Sequence, residues 1–287
     1  MKYIFQLSGW YLLLAISMVG CANQIDKDGQ AGGGTATIFN AKWAENKLWD
    51  DGLAEVAIYA AERTIYNKQR TFDYTLITVK EDFNKQYNVK TDDYKRNDLY
   101  PVMKVNAFCR IPTDNYPYHF LTSLFFKRQD SAKLYKLTSS SQEWCGNTFK
   151  AINATGNKYQ FSFNSYWDNQ GAGEFNLDND IVFEDQLPYT LRSLKFKHGL
   201  TFRLPVAELI QTNKASKPNI TQGTFTVNQV KDTSGKLTWS VNLAFTPEKQ
   251  NTYLFAADYP HILLRQTTWD GRTLALKEVK RYAYWQH

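Results

Sequence analysis

Residues 236–245, KLTWSVNLAF, decide the fold. Leu237, Trp239, Val241, Leu243 and Phe245 alternate with Thr238, Ser240, Asn242 and Ala244, a period of two with one apolar face and one mostly polar face. Turn chemistry flanks this strand: KDTSGK (231–236) before it, then TPEKQN (246–251), DYPH (258–261) and WDGR (269–272). Asp270-Gly271 is a signal for a two-residue hairpin, because a type I′ turn needs positive φ at both central positions. Residues 223–284 therefore read as an antiparallel meander of about five strands.

Upstream, TFDYTLITVKEDF (71–83), VMKVNAFCRI (102–111), FLTSLFFKR (120–128), KLYKLTS (133–139) and KYQFSFNSYW (158–167) are strand-like, rich in residues that suit a pleated, half-buried surface. GLAEVAIYAAERTIY (52–66) fits a helical stripe or a strand face; its β-branched and aromatic end favours strand. LPVAELIQTN (204–213) suggests a short helical turn. The fold class expected is mainly β, an antiparallel meander curled into an open or half-closed barrel with few short helices. Such sheets curl or pair to protect their edges.

The N-terminus reads differently. Lys2 precedes an apolar run, Tyr11–Val19, of signal-peptide length and too short for a bilayer span of ~20 residues. Met18-Val19-Gly20-Cys21 resembles a bacterial lipoprotein lipobox, which implies a signal peptide over 1–20 and lipidation, including palmitate, of Cys21. Each buried methylene is worth ~0.8 kcal/mol, so several acyl chains anchor stably. Ala22, rather than Asp, implies sorting to the outer membrane, by resemblance to the rule of other Gram-negative bacteria. The polar, Gly-rich stretch 21–46, including GQAGGGT, is expected to be a flexible tether. Residues 47–287, beginning near Trp49, then form one all-β domain or two β halves that meet near 168–180.

The net charge of +6 is dispersed, with no Lys/Arg run interleaved with aromatics, which argues against nucleic-acid binding. His119, His198, His261 and His287 stand at no metal-ligand spacing, and no nucleophile or phosphate-loop motif occurs, so no metal, cofactor or catalytic residue is assigned. The adjacent carboxylates Glu81-Asp82 and Glu184-Asp185 read as turn or edge solubilisers, because neighbours on a strand face opposite ways. Cys109 and Cys145 suit a cross-strand disulfide in an oxidising envelope, with two buried free thiols as the alternative. Trp144 is expected in the sheet core, Cys145 beside it, and Gly146 at a bulge or bend.

GLAEVAIYAAERTIY, ITVKEDFNKQYNVK (77–90), YPYHFLTSLFF (116–126) and above all TSSSQEWCGNTF (138–149) resemble a family of uncharacterised Bacteroidetes-type lipoproteins with a S-Q-E-W-C-G-x-T motif, here Gln142, Glu143, Trp144, Cys145 and Gly146. That family has His where this chain has Asn147. Its frequent label, septum formation inhibitor Maf, belongs to cytoplasmic nucleotide pyrophosphatases whose Ser-rich N-terminal loop is missing here. The C-terminal pattern resembles periplasmic β domains of unknown function, similar to the half-barrels of lipoprotein carriers. The expected function is a membrane-anchored binding or carrier module for a lipid, hydrophobic ligand or envelope partner. The alternatives are an envelope hydrolase with a dispersed active site and a purely structural envelope protein. Aromatics make up 15% of the chain, enough to fill a β core or to line a concave ligand surface.

Overall fold

The computed structural model describes residues 38–286, so the signal peptide, Cys21 and the Gly-rich run lie outside the described residues. The first half of the chain forms β1 (Ala54–Ile65), β2 (Lys68–Asn84), β3 (Val89–Lys90), β4 (Leu99–Ile111), β5 (Tyr118–Lys127), β6 (Leu134–Glu143), β7 (Gly146–Thr155), β8 (Lys158–Ser165) and β9 (Ala172–Asp178). The second half forms β10 (Val182–Phe183), helix α1 (Leu187–Thr190), β11 (Leu200–Ala207), β12 (Ile220–Lys231), β13 (Leu237–Ala244), β14 (Gln250–Ala256), β15 (Leu263–Thr267) and β16 (Thr273–Tyr282). The protein is mainly β, as its alternating residues require, and GLAEVAIYAAERTIY is strand β1.

All strands join one sheet in the order β10-β11-β12-β13-β14-β15-β16-β1-β2-β4-β5-β6-β7-β8-β9, with β3 beside β2. The pairing of β16 with β1 is antiparallel, Ala54 opposite Tyr282 and Glu62 opposite Thr273, and it joins the two halves into one surface. The free edges are β9 and β10. Only residues 179–181 separate them in the chain, a stretch that spans at most ~14 Å. The edges are thus drawn together at one corner without a ladder between them, and the sheet is a curled, open barrel.

The interior is filled. One core cluster lies under β11–β16 and β1, with Tyr59, Phe225, Val241, Tyr253 and Phe255. The second lies under β4–β9, with Met103, Leu124, Phe126, Ile152 and Phe161. The segment around α1 contributes to both: Val182, Leu187, Leu191 and Leu194 enter the first, and Ile181, Phe183 and Tyr189 the second. Pro188 opens α1 at a position where its missing N–H costs nothing. Gln186 Nε2 holds the turn by donating to Thr190 Oγ1 and to the Ala132 carbonyl, each at 3.0 Å.

Three expectations change. The tether does not reach residue 46: Phe39 bridges Leu194, and Trp43 is buried with its ring 5.4 Å from Trp49 and 5.3 Å from Tyr189. These apolar rings make the end of the expected tether part of the core. LPVAELIQTN carries no helix, because β11 runs to Ala207 and side chains from elsewhere bind the backbone that follows it. At WDGR only Gly271 has positive φ, +81°, and the β15–β16 connection spans 268–272 with Thr268 N bonded to Arg272 O. It is a wider hairpin than the two-residue turn expected.

Candidate functional site

Alternating connections place seven links on one rim: β1–β2, β4–β5, β6–β7, β8–β9, β11–β12, β13–β14 and β15–β16. On four neighbouring links this rim carries aromatic side chains. Tyr66 caps β1–β2, Tyr116 lies between β4 and β5, Trp144 tips β6–β7, and Tyr166 and Trp167 follow β8. Trp144 is 79% exposed, Tyr166 65% and Tyr66 64%, far more than rings in a β core.

Tyr66, Tyr118, Tyr116 and Trp144 touch in sequence. Tyr66 hydrogen-bonds Tyr118 through their hydroxyls, Tyr118 lies 5.9 Å from Tyr116, and Tyr116 stacks on Trp144 with centroids 6.0 Å apart. Gly146 lets the Tyr166 ring pack over the start of β7, beside the Trp144-Cys145 turn. A Cβ at Gly146 would sit 2.4 Å from Tyr166 Cγ, well inside contact distance. The expected bend at Gly146 is in fact the first position of β7, and its need for glycine comes from this ring. Tyr166 and Trp167 meet edge to face at 5.5 Å. Hydrogen-bonding side chains border the row: Asp114, Glu143, Gln170 and Asn213, with Asn213 Nδ2 donating to Glu143 Oε1 at 3.1 Å.

The Gln142–Gly146 motif is therefore a rim feature. Gln142 and Glu143 end β6, opposite Asn147 and Gly146, and Trp144 and Cys145 form the turn between the strands. The expectation of Trp144 in the sheet core fails because this tight turn projects it outward. The expected disulfide is absent as well: Cys109 and Cys145 are both free, Cys109 buried on the inner face and Cys145 exposed. The Cys145 thiol donates instead to the Tyr116 hydroxyl at 3.4 Å. Burial pushes the Cys109 thiol up to about 12. A thiol reagent at neutral pH is thus expected to modify Cys145 in the native protein and Cys109 only after denaturation. Counting reacted thiols by mass spectrometry checks this, and a count of none after denaturation without reductant contradicts it.

Behind the aromatic row lies a charged interior. Phe120 joins the two, stacked on Tyr118 at 6.1 Å while the Arg63 guanidinium sits 5.4 Å from its ring. Deeper in, Arg272 binds Asp270 through Nε at 2.8 Å and donates to Glu184. Asp185 accepts the N–H groups of Ile210 and Gln211 at 2.6 and 2.9 Å. Lys150 Nζ donates to the carbonyls of Ile210, Lys214 and Thr212 at 2.5, 2.7 and 2.8 Å. These two side chains pin the β11–β12 connection (208–219) across the rim. Burial pushes the Lys150 ammonium down to about 8 and raises the carboxyl pKa values of Glu184 and Asp185.

The cavity among these groups measures about 60 Å³, with Arg63, Tyr74, Gln211, Gln266 and Arg272 in its walls. Its volume is that of a few water molecules. The sequence reading missed this cluster. Glu184 and Asp185 are not edge solubilisers: they lie on a 3₁₀ turn, Glu184–Gln186, inside the curl. Acidic residues just before Pro188 were the available signal, since that pattern marks a helix start.

No protein-family model and no curated protein matches the chain. The lipoprotein-family resemblance of the Gln142–Gly146 motif gains no support from these comparisons. Among solved structures, a beta-barrel-like protein of a domain of unknown function, DUF1849, from Brucella abortus is similar with 11% identity and a TM-score of 0.47. That match covers 80% of this chain and 98% of the other. A DUF1089 family protein from Pseudomonas aeruginosa is similar with 14% identity and a TM-score of 0.38, covering 56% of this chain and 82% of the other.

Proposed function

We propose that this protein is an envelope lipoprotein, anchored to the outer membrane through lipid on Cys21, whose β barrel binds a carbohydrate chain along the aromatic row of the rim. The observation that carries the reading is the row itself: aromatic rings on four neighbouring connections, with Tyr66, Trp144 and Tyr166 exposed, bordered by carboxylate and amide side chains. A sugar ring has the matching chemistry, with an apolar C–H face that stacks on an aromatic ring and hydroxyls that hydrogen-bond at its edge.

One further feature favours the rim over a lipid carried inside the barrel: the cavity of about 60 Å³ is small beside the ~300–1,000 Å³ of typical small-molecule sites.

The test is titration with soluble oligosaccharides released from envelope polysaccharide, followed by tryptophan fluorescence. Trp144→Ala should weaken binding at least tenfold while changing stability by no more than ~0.5 kcal/mol, the range for exposed substitutions. Unchanged affinity in the variant, or binding to phospholipid vesicles in place of oligosaccharides, overturns the reading. In the same cells, Cys21→Ala should move the protein from the membrane to the soluble fraction.

A further inference from the structure

The cavity behind Phe120 has a chemistry of its own, independent of the aromatic row. Three arginines reach the interior. Arg192 is paired with Glu55, and Arg272 with Glu184 and Asp270. Arg63 differs: among the described residues its contacts are the Gln211 carbonyl, at 3.3 Å, and the Phe120 ring, and no carboxylate pairs with it. A guanidinium half withdrawn from water without an anion is costly, and a planar fork of donors is its remaining binding capacity.

A second group in the same walls is also unmet. Gln266 is 7% exposed, and its Oε1 has no hydrogen-bond partner. A half-turn of this amide presents its two N–H donors where the oxygen now stands. The carboxylates that line the cavity are held elsewhere: Glu62 accepts from Gln69, Glu184 from Arg272 and Asn251, and Asp185 from two backbone N–H groups.

We infer that this cavity binds a small carboxylate, clamped by Arg63 in a bidentate pair and by the Gln266 amide. The volume of about 60 Å³ fits an ion the size of formate or acetate and excludes a sugar or an acyl chain. Ala61, Phe72 and Leu274 line the cavity from β1, β2 and β16, and Ile111 and Leu209 line it at the end of β4 and after β11. The bidentate geometry selects a planar carboxylate over a spherical halide.

Thermal unfolding at constant ionic strength tests the site, with sodium formate or acetate exchanged for sodium chloride. The wild-type midpoint should rise by several degrees and saturate with formate or acetate. In Arg63→Met that saturable rise should vanish, and Arg63→Lys, which keeps the charge but not the fork, should keep only part of it. If Arg63→Met does not fold, Gln266→Leu serves instead and should lower the apparent affinity for formate at least fivefold. The inference is overturned if chloride produces the same saturable rise, if the variants respond as the wild type does, or if no saturable rise occurs.

Discussion

Replacing Glu55 by alanine is expected to lower stability by about 3–5 kcal/mol, the cost of leaving a buried charge without its partner. Glu55 and Arg192 form a bidentate pair, Nη1 to Oε1 at 2.8 Å and Nη2 to Oε2 at 2.9 Å, with side chains only 4% and 5% exposed. Arg192 Nε donates to the Pro260 carbonyl at 3.0 Å, and its guanidinium lies 5.1 Å from the Trp43 ring. Truncating Glu55 leaves that cation with an aromatic face and a carbonyl, neither of which replaces a carboxylate. Equilibrium denaturation in urea measures the loss. A cost below about 1 kcal/mol, the usual value of an exposed pair, would contradict the buried geometry. Replacing both residues by apolar ones of similar volume should recover much of the loss, since well-packed substitutes often match a buried ion pair.

Trp49→Ala is expected to cost about 3–5 kcal/mol as well, through lost packing and a residual cavity. Trp49 is 2% exposed, packs against Trp43, and lies 5.2 Å from the Arg281 guanidinium. Its indole N–H donates to the Tyr259 hydroxyl at 2.8 Å, and that hydroxyl donates to the Trp43 carbonyl at 2.8 Å. Removal therefore empties a large volume and breaks a relay that ties residues 43–50 to the β14–β15 connection. The same substitution at Trp144, exposed on the rim, is the internal control. Denaturation midpoints of the two variants should differ widely, and equal midpoints would contradict the assignment of one tryptophan to the core and the other to the surface.

The strands were legible because their signal is local. KLTWSVNLAF alternates strictly, and the structure pairs Val241 with Val227 and Tyr253 on the buried face. GLAEVAIYAAERTIY was resolved by its β-branched end, which outweighed the alanines. The joining of the two halves into one sheet was not legible, because the β16–β1 pairing links residues more than 200 positions apart. Trp144 was misplaced for a related reason. A tryptophan beside a cysteine in a strand-like run suggests a core, but a two-residue turn at Trp144-Cys145 reverses the chain there and points the ring outward. The interior charges were hidden by their chain context: Arg63 lies in an apolar strand, Glu184-Asp185 in an apparent turn, and Lys150 in a polar strand. Only the curled sheet brings their inner faces together.

The claim at the centre of this account is that ligand engages the aromatic row, and hydrogen exchange with and without envelope oligosaccharide tests it most directly. Amides in the connections that carry the row, 66–67, 112–117, 144–145 and 166–171, are expected to gain protection on binding, while the opposite rim at 85–98 and 232–236 stays unchanged. Protection confined to that opposite rim, or no change anywhere at saturating oligosaccharide, would contradict it.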